Sequence, residues 1–429
     1  MSDGLAVDGG VAEAERPAAA LLASERLGVR VRRVEGAPVV ALRVWLRSGA
    51  RVESIPGQAL VAGRMLAEGT RRRSWKRIAD EAEARGMILA SFGGFEVHGL
   101  AIDALAQDLE LALGWAAELL LESVFPEDRT AWLARQAAAE LGSLADQPEI
   151  KTAWGFLEQL YAPHPRSRPV QGDPASLLAL TPDDLAGFHR RALGSRVLVT
   201  AAGRLDEDAV ERRVRELFAA LPPPAPPWPE PAAPAGTEPR RRLVAVEAEE
   251  QAHLYLGHLT VPRRHPDHAA LELLAVILGS GTGLTGRIPT RIREREGLAY
   301  SAHAQTLAGA GLDAGRLVAY VATAPANADR AEQGVVEELR RLVEGGIKEA
   351  ELDDARAYLL GREPFRRETA RQWADLLAEA EHYELPLEDA RWRAARLAEL
   401  DRTAVEEAAR RHVRPDDLAV TIGLPEGDS

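Results

Sequence analysis

Cysteine is absent from all 429 residues. That excludes disulfides, thiolate metal sites and a cysteine nucleophile. Lysine is nearly absent: Lys76, Lys151 and Lys348 are the only lysines among 53 basic residues. Genomic base composition accounts for such a bias, and it places no site. Excess positive charge is missing as well. The formal net charge is −13, which argues against nucleic acid or an anionic membrane as the main partner. No apolar run reaches the roughly 18 residues of a spanning helix. The first twenty residues carry Asp3, Asp8, Glu13 and Glu15, with no basic segment leading into an apolar one. No signal peptide is visible, so with Met1 as the start the expected location is cytoplasmic.

What remains is ordinary globular material, 46% hydrophobic and 28% charged. The length suits two or more domains, because single cores rarely grow past about 250–300 residues. Residues 1–24 lack periodicity and read as a loose extension. A β-hairpin is expected from 29–34, a turn at Glu35-Gly36-Ala37-Pro38, and an alternating strand over 39–46. Helical periodicity follows over 57–66, 74–85, 106–122 and 126–145, with two short strands at 87–102 around Gly93-Gly94. Thr181 reads as an N-cap with Pro182 at the first helical position. A strand over 196–202 and a helix over 207–221 follow.

Residues 222–239 hold nine of the 27 prolines. Proline breaks helices and cannot donate to a sheet, so this segment reads as a semi-rigid linker. It divides a domain over 25–221 from a second over 240–429. The second half repeats the plan: strands at 243–247 and 253–260, a helix at 268–278, a strand at 316–322, and helices over 327–345 and 350–383. Residues 400–423 align without gaps onto 180–203 at an offset of 220. The expected fold class is therefore α+β, with two related domains, each with helices on a largely antiparallel sheet.

Two motif-like stretches are expected to be neither a dinucleotide site nor a metal pair. Gly281-Thr282-Gly283-Leu284-Thr285-Gly286 satisfies G-x-G-x-x-G but follows a helix, whereas a dinucleotide site needs a preceding strand. His265-Pro266-Asp267-His268 reads as a helix-start turn, since no further metal ligands can be nominated from sequence.

Residues 57–70 read Gly-Gln-Ala-Leu-Val-Ala-Gly-Arg-Met-Leu-Ala-Glu-Gly-Thr. This resembles the zinc-site helix of the pitrilysin and mitochondrial-processing-peptidase family, the inverzincins, which carries H-x-x-E-H between similar flanks. Gly57, Met65, Leu66, Gly69 and Thr70 match, as does Val44-Trp45-Leu46…Gly49-Ala50-Arg51…Glu53 upstream. The histidine positions fall on Leu60 and Arg64, and the glutamate position on Gly63. Zinc needs neutral imidazole or anionic ligands, so no metal is expected in this chain. The family's third ligand lies about 76 residues on, which points to Glu140. That residue could pair with Arg64 or be a plain solvated helix residue. Residues 286–300 fit S-R-L-F-x-x-L-R-x-x-x-G-L-A-Y without gaps. The resemblance assigns Arg293 and Tyr300 to the substrate site, acting on the peptide and its developing oxyanion. It makes Gly281, Gly283 and Gly286 a substrate-facing loop before the helix bearing that pair. Tyr161…His164-Pro165…Gly172-Asp173 and Leu180-Thr181-Pro182-Asp183-Asp184-Leu185 also fit.

In two-chain members of that family, one subunit carries H-x-x-E-H and the other supplies the Arg/Tyr pair. The resemblance thus implies a non-catalytic subunit of a heteromeric zinc peptidase. Zinc is expected in a homologous partner, and an extended or unfolded peptide is the expected substrate. An inert scaffold subunit, or a chaperone that handles peptides without cleaving them, are the alternatives. The triple substitution Leu60→His, Gly63→Glu and Arg64→His is expected to recover metal binding if Glu140 is a true ligand.

Overall fold

A computed structural model describes residues 26–246, 251–281, 285–386 and 390–425. The extension over 1–24 and Gly283 lie outside the described residues. The first half runs β1 (Leu27–Arg33), β2 (Val39–Leu46), α1 (Gln58–Met65), α2 (Trp75–Glu83), β3 (Ile88–Gly93) and β4 (His98–Leu105). It continues through α3 (Leu109–Leu121), α4 (Glu127–Ala145), α5 (Pro148–Tyr161), α6 (Pro174–Ala179), α7 (Pro182–Leu193), β5 (Val197–Gly203) and α8 (Glu207–Leu217). The second half holds β6 (Arg241–Val246), β7 (Ala252–Leu259), α9 (His268–Leu278), β8 (Ala299–Ala308), β9 (Arg316–Thr323) and α10 (Ala328–Gly345). Helices α11 (Glu349–Arg362), α12 (Ala370–Tyr383), α13 (Ala390–Glu399) and α14 (Arg402–His412) and strand β10 (Ala419–Pro425) complete it. Among the described residues, no helix is long and apolar enough to cross a membrane.

Two five-stranded mixed sheets form, in the orders β1-β5-β2-β4-β3 and β6-β10-β7-β9-β8. The two orders are the same pattern. The aligned stretches 180–203 and 400–423 both supply a helix and then the second strand of their sheet. Each such strand runs parallel to the first strand and antiparallel to the third. Even the register repeats: Gly203 faces Val40, and Gly423 faces His253.

The expected hairpin over 29–46 does not form. β5 lies between its two arms, parallel to β1 and antiparallel to β2. All seven residues of β5 are buried, and a strand so apolar belongs inside a sheet with neighbours on both edges. The segment after β1 therefore steps over β5, with the Val34 amide donating to the Gly203 carbonyl at 2.9 Å. The expected single helix over 350–383 is also broken. Pro364 offers no amide hydrogen, and α11 ends at Arg362 before α12 starts afresh from Thr369.

Each sheet carries its own half's helices on one face, for example α3 and α8 on the first sheet and α9 and α10 on the second. The opposite faces are covered by exchange. Helix α12 of the second half lies on β5, β2 and β1, while α5 of the first half lies on β10, β7 and β6. Both helices have 14 residues and occupy equivalent places, since 370 − 148 and 383 − 161 both equal 222. The segment over 222–240 forms no helix or strand, yet Trp228 within it is buried against the first core.

Candidate functional site

Helix α1 starts where a buried carboxylate gathers its free amides. Glu53 accepts from the amides of Gly57 at 3.1 Å and Ala59 at 2.9 Å, as an anion at a helix start should. Arg168 adds a contact at 3.3 Å. Burial nevertheless outweighs these bonds and pushes the Glu53 carboxyl up to about 7. Gly57 itself holds φ 85, a left-handed value that suits glycine.

The three zinc-motif positions lie along this helix. Leu60 is buried in the first core. Gly63 lies flush against β3: a Cβ there would stand 2.2 Å from the Phe92 carbonyl oxygen. Gly93 answers from the strand side, where a Cβ would meet the Ala59 carbonyl oxygen at 2.1 Å. Two glycines thus let helix and strand backbones touch, and Ser91 Oγ donates to the Arg64 carbonyl across the same seam at 2.9 Å. Arg64 Nη2 donates to Glu140 Oε2 of α4 at 2.8 Å, both side chains being partly exposed. A leucine, a glycine and a guanidinium offer zinc no donor, and the one carboxylate is already engaged. This set does not fit a zinc ion.

Arg293 and Tyr300 meet in the second half. Gly286 (φ 115) abuts Gly279, with a Cβ–Cα separation of 2.5 Å were a side chain present. A short helical turn, Arg287–Pro289, passes into a π-helical segment, Thr290–Arg295, that carries Arg293. Tyr300 is not on that helix, contrary to the sequence expectation. It is the second residue of β8. The pairing passes from Ala299 opposite Thr323 to Ser301 opposite Ala322, so Tyr300 is the extra residue of a β-bulge. A bulge re-aims the side chain it frees, and Tyr300 is 84% exposed. Arg293 stacks its guanidinium over that ring, 5.0 Å from the centroid. Neither residue has a carboxylate partner among the described residues. Gly281 and Gly286 border a cavity of about 750 Å³ that Arg287, Arg291, Glu351 and Tyr358 also line.

No hydrogen bond, ion pair or ring contact joins the Arg64–Glu140 pair to the Arg293–Tyr300 pair among the described residues. What does join the halves was not visible in sequence. Glu96, in the β3–β4 turn, accepts from Tyr383 Oη at 2.9 Å, His382 Nε2 at 3.2 Å and the Leu312 amide at 2.8 Å. Burial works against this carboxylate, but His382 and Arg166 hold it below its usual range. Asp313, in the β8–β9 turn, takes Arg51 through both oxygens at 2.8 and 2.9 Å, with His164 at 3.4 Å. Burial raises this carboxyl, and His164 and Arg51 overcome that to lower it. These acids sit in the β3–β4 and β8–β9 turns, equivalent places in the two sheets. Only a fold-level alignment of the halves could have flagged them.

Comparison with known families agrees with this architecture. Residues 29–169 match the model of the insulinase family, peptidase family M16, and residues 179–359 match the peptidase M16 inactive domain. An uncharacterized zinc protease of Mycobacterium tuberculosis is 32% identical over 74% of this chain and 73% of its own length. A non-peptidase homolog, YmxG of Helicobacter pylori, is 24% identical over 73% of this chain and 72% of its own. Among solved structures, a peptidase M16 inactive domain from Pseudomonas fluorescens superposes with a TM-score of 0.84 at 24% identity, covering 92% of this chain and 95% of that one.

Proposed function

The chain belongs to the M16 peptidase family, and on that premise we propose that it is a non-catalytic member that completes the active site of a zinc-containing partner. The observation that carries this reading is the contrast between two sets of positions. The H-x-x-E-H positions are Leu60, Gly63 and Arg64, the last ion-paired to Glu140. The Arg/Tyr positions are filled and turned outward, with Tyr300 freed by a bulge and stacked on Arg293. The partner is a homologous subunit with an intact motif, which supplies zinc, its bound water and the general base. This chain supplies fixed donors. Arg293 orients the peptide carbonyl by its charge, and the Tyr300 hydroxyl donates to the oxyanion that develops there. The substrate is an extended or unfolded peptide held between the two chains.

The test is reconstitution. The chain is mixed with an H-x-x-E-H homologue from the same source, association is followed by sizing, and peptide cleavage is measured. Tyr300→Phe keeps the ring and removes one donor. Loss of such a donor costs about 10²–10³ in kcat. Arg293→Ala is expected to lower kcat/KM as well. Both variants should still associate. Wild-type turnover in a stable Tyr300→Phe complex would leave the chain as a scaffold that contributes shape alone.

A further inference from the structure

The turn before α9 and the end of α14 bring together three side chains that the reading above does not use. His265 and Asp267 belong to the Pro266-containing turn, and His412 is the last residue of α14. One potential ligand atom from each lies within 4.8 Å of the other two. Among the described residues, no other trio of histidine, aspartate or glutamate does this. His412 Nε2 and Asp267 Oδ2 are 2.7 Å apart. The two imidazoles meet edge to face, their centroids 5.0 Å apart. All three residues are half-buried, so water can reach the remaining coordination positions. Asp267 Oδ1 is held by Arg411 at 3.2 Å, which fixes the carboxylate and leaves Oδ2 for another partner.

We propose that His265, Asp267 and His412 bind one divalent transition cation, of the zinc or cobalt class. Two imidazoles with one carboxylate suit such borderline ions, whereas magnesium and calcium prefer all-oxygen shells. The ion takes the place of the proton now shared by His412 and Asp267. Metal–ligand bonds of about 2.0–2.2 Å require only a small widening of that contact. His265 Nδ1 at present accepts the Asp267 amide at 3.1 Å. Ligation through Nε2 puts the proton on Nδ1 and hands that amide to water. This cost, with three protein ligands rather than four and Arg411 close by, makes the site weaker than a closed structural zinc centre. The ion ties the end of α14, which leads into the inner strand β10, to the start of α9. The site is separate from Leu60, Gly63 and Arg64 and does not depend on the function proposed for the chain.

The experiment uses the tag-free full-length chain, stripped with a chelator. Cobalt is titrated while its visible d–d bands are followed, zinc competition is measured, and melting is recorded with and without zinc. One cobalt per chain is expected, displaced by zinc, with a melting temperature raised by zinc and not by magnesium. Uptake should be lost in His265→Ala and in His412→Ala, and kept in Glu140→Ala. His412→Gln keeps a hydrogen bond to Asp267 and serves where the alanine variant does not fold. Absence of stoichiometric cobalt, or uptake that survives in folded His412→Gln, would overturn the proposal.

Discussion

Gly63 stands where the resemblance places the family glutamate. The family glutamate would start from a Cβ 2.2 Å from the Phe92 carbonyl oxygen, so helix α1 and strand β3 would have to part to admit it. Against the expectation from sequence, Leu60→His, Gly63→Glu and Arg64→His together are therefore expected to gain no zinc at that site. It should lose stability relative to the Leu60→His/Arg64→His double variant, by at least the roughly 1–3 kcal/mol typical of overpacking. Equal urea midpoints for the two would contradict this. The motif gap itself was plain in the sequence, and counting from Arg64 pointed to Glu140, which stands 2.8 Å away. The close backbone approach was not legible, because it depends on Gly93 of another element. A second residue-scale prediction concerns the buried chain Ser48–His98–His189–Leu120. His189 Nε2 lies 2.8 Å from the Leu120 carbonyl, His98 Nε2 lies 3.3 Å from His189 Nδ1, and Ser48 Oγ lies 2.9 Å from His98 Nδ1. With His189 donating to that carbonyl and each next group donating along the chain, both rings are neutral. Burial pushes His98 down to about 3 and His189 down to about 4. At these two rings the unfolded chain thus binds more protons than the folded one, from pH 6.5 down to about 4 for His189 and about 3 for His98. Their contribution is present above pH 6.5 and is lost as pH falls through that window. Urea midpoints should decline across it, and ring ¹⁵N shifts at pH 6 should report two neutral imidazoles. A charged ring at that pH would refute the assignment.

Elements were legible where capping chemistry is local and illegible where the partner is remote. Thr181 accepts from the Asp184 amide and Asp184 accepts from the Thr181 amide, a reciprocal cap of which the sequence announced the Thr181 N-cap and the Pro182 start. Thr181→Ala is expected to cost about 1 kcal/mol, read as a lower urea midpoint with an unchanged slope. No shift would mean that α7 is held by packing alone. The hairpin over 29–46 was misplaced for the opposite reason. Alternation in β1 and β2 marks them as strands, but β5, far along the chain, determines that they are not neighbours. β8 was missed because Ala-Tyr-Ser-Ala-His-Ala has few β-branched residues, and the match over 286–300 favoured a helix through Tyr300. The bulge that frees Tyr300 exists only once β9 supplies the register.

At the scale of the molecule, the two halves are related by sequence but not independent in space. The 220-residue repeat, weak in identities, emerges as one sheet pattern used twice. The exchange of α5 and α12 was not legible: 148–161 gave no helix reading, and 370–383 read as the end of one helix over 350–383. It has a strong consequence. Helix α12 brings Ala370, Ala374 and Trp373 onto Ala41 and Ala202 of the first sheet. It also pairs Asp375 with Arg43, and Glu381 with Arg196. In return, α5 brings Phe156, Leu160 and Tyr161 onto Val318 and Ala419 of the second sheet, where Gln159 accepts from Thr421 Oγ1 at 2.8 Å. Cut within residues 222–239, each fragment would expose one bare sheet face and one helix with nothing to cover. Hydrophobic burial of about 25 cal/mol per Å² would be lost on both, Arg43 would keep only Asp103, and the buried Arg196 would lose Glu381 and Glu384. Neither fragment alone is expected to unfold cooperatively. Co-expressed, the two should assemble into a stable 1:1 complex, because the covering helices need no covalent link to reach their sheets. Calorimetry and sizing of the separate and mixed fragments check this. A cooperative transition in either fragment alone would show that the exchanged helices are not what closes each half.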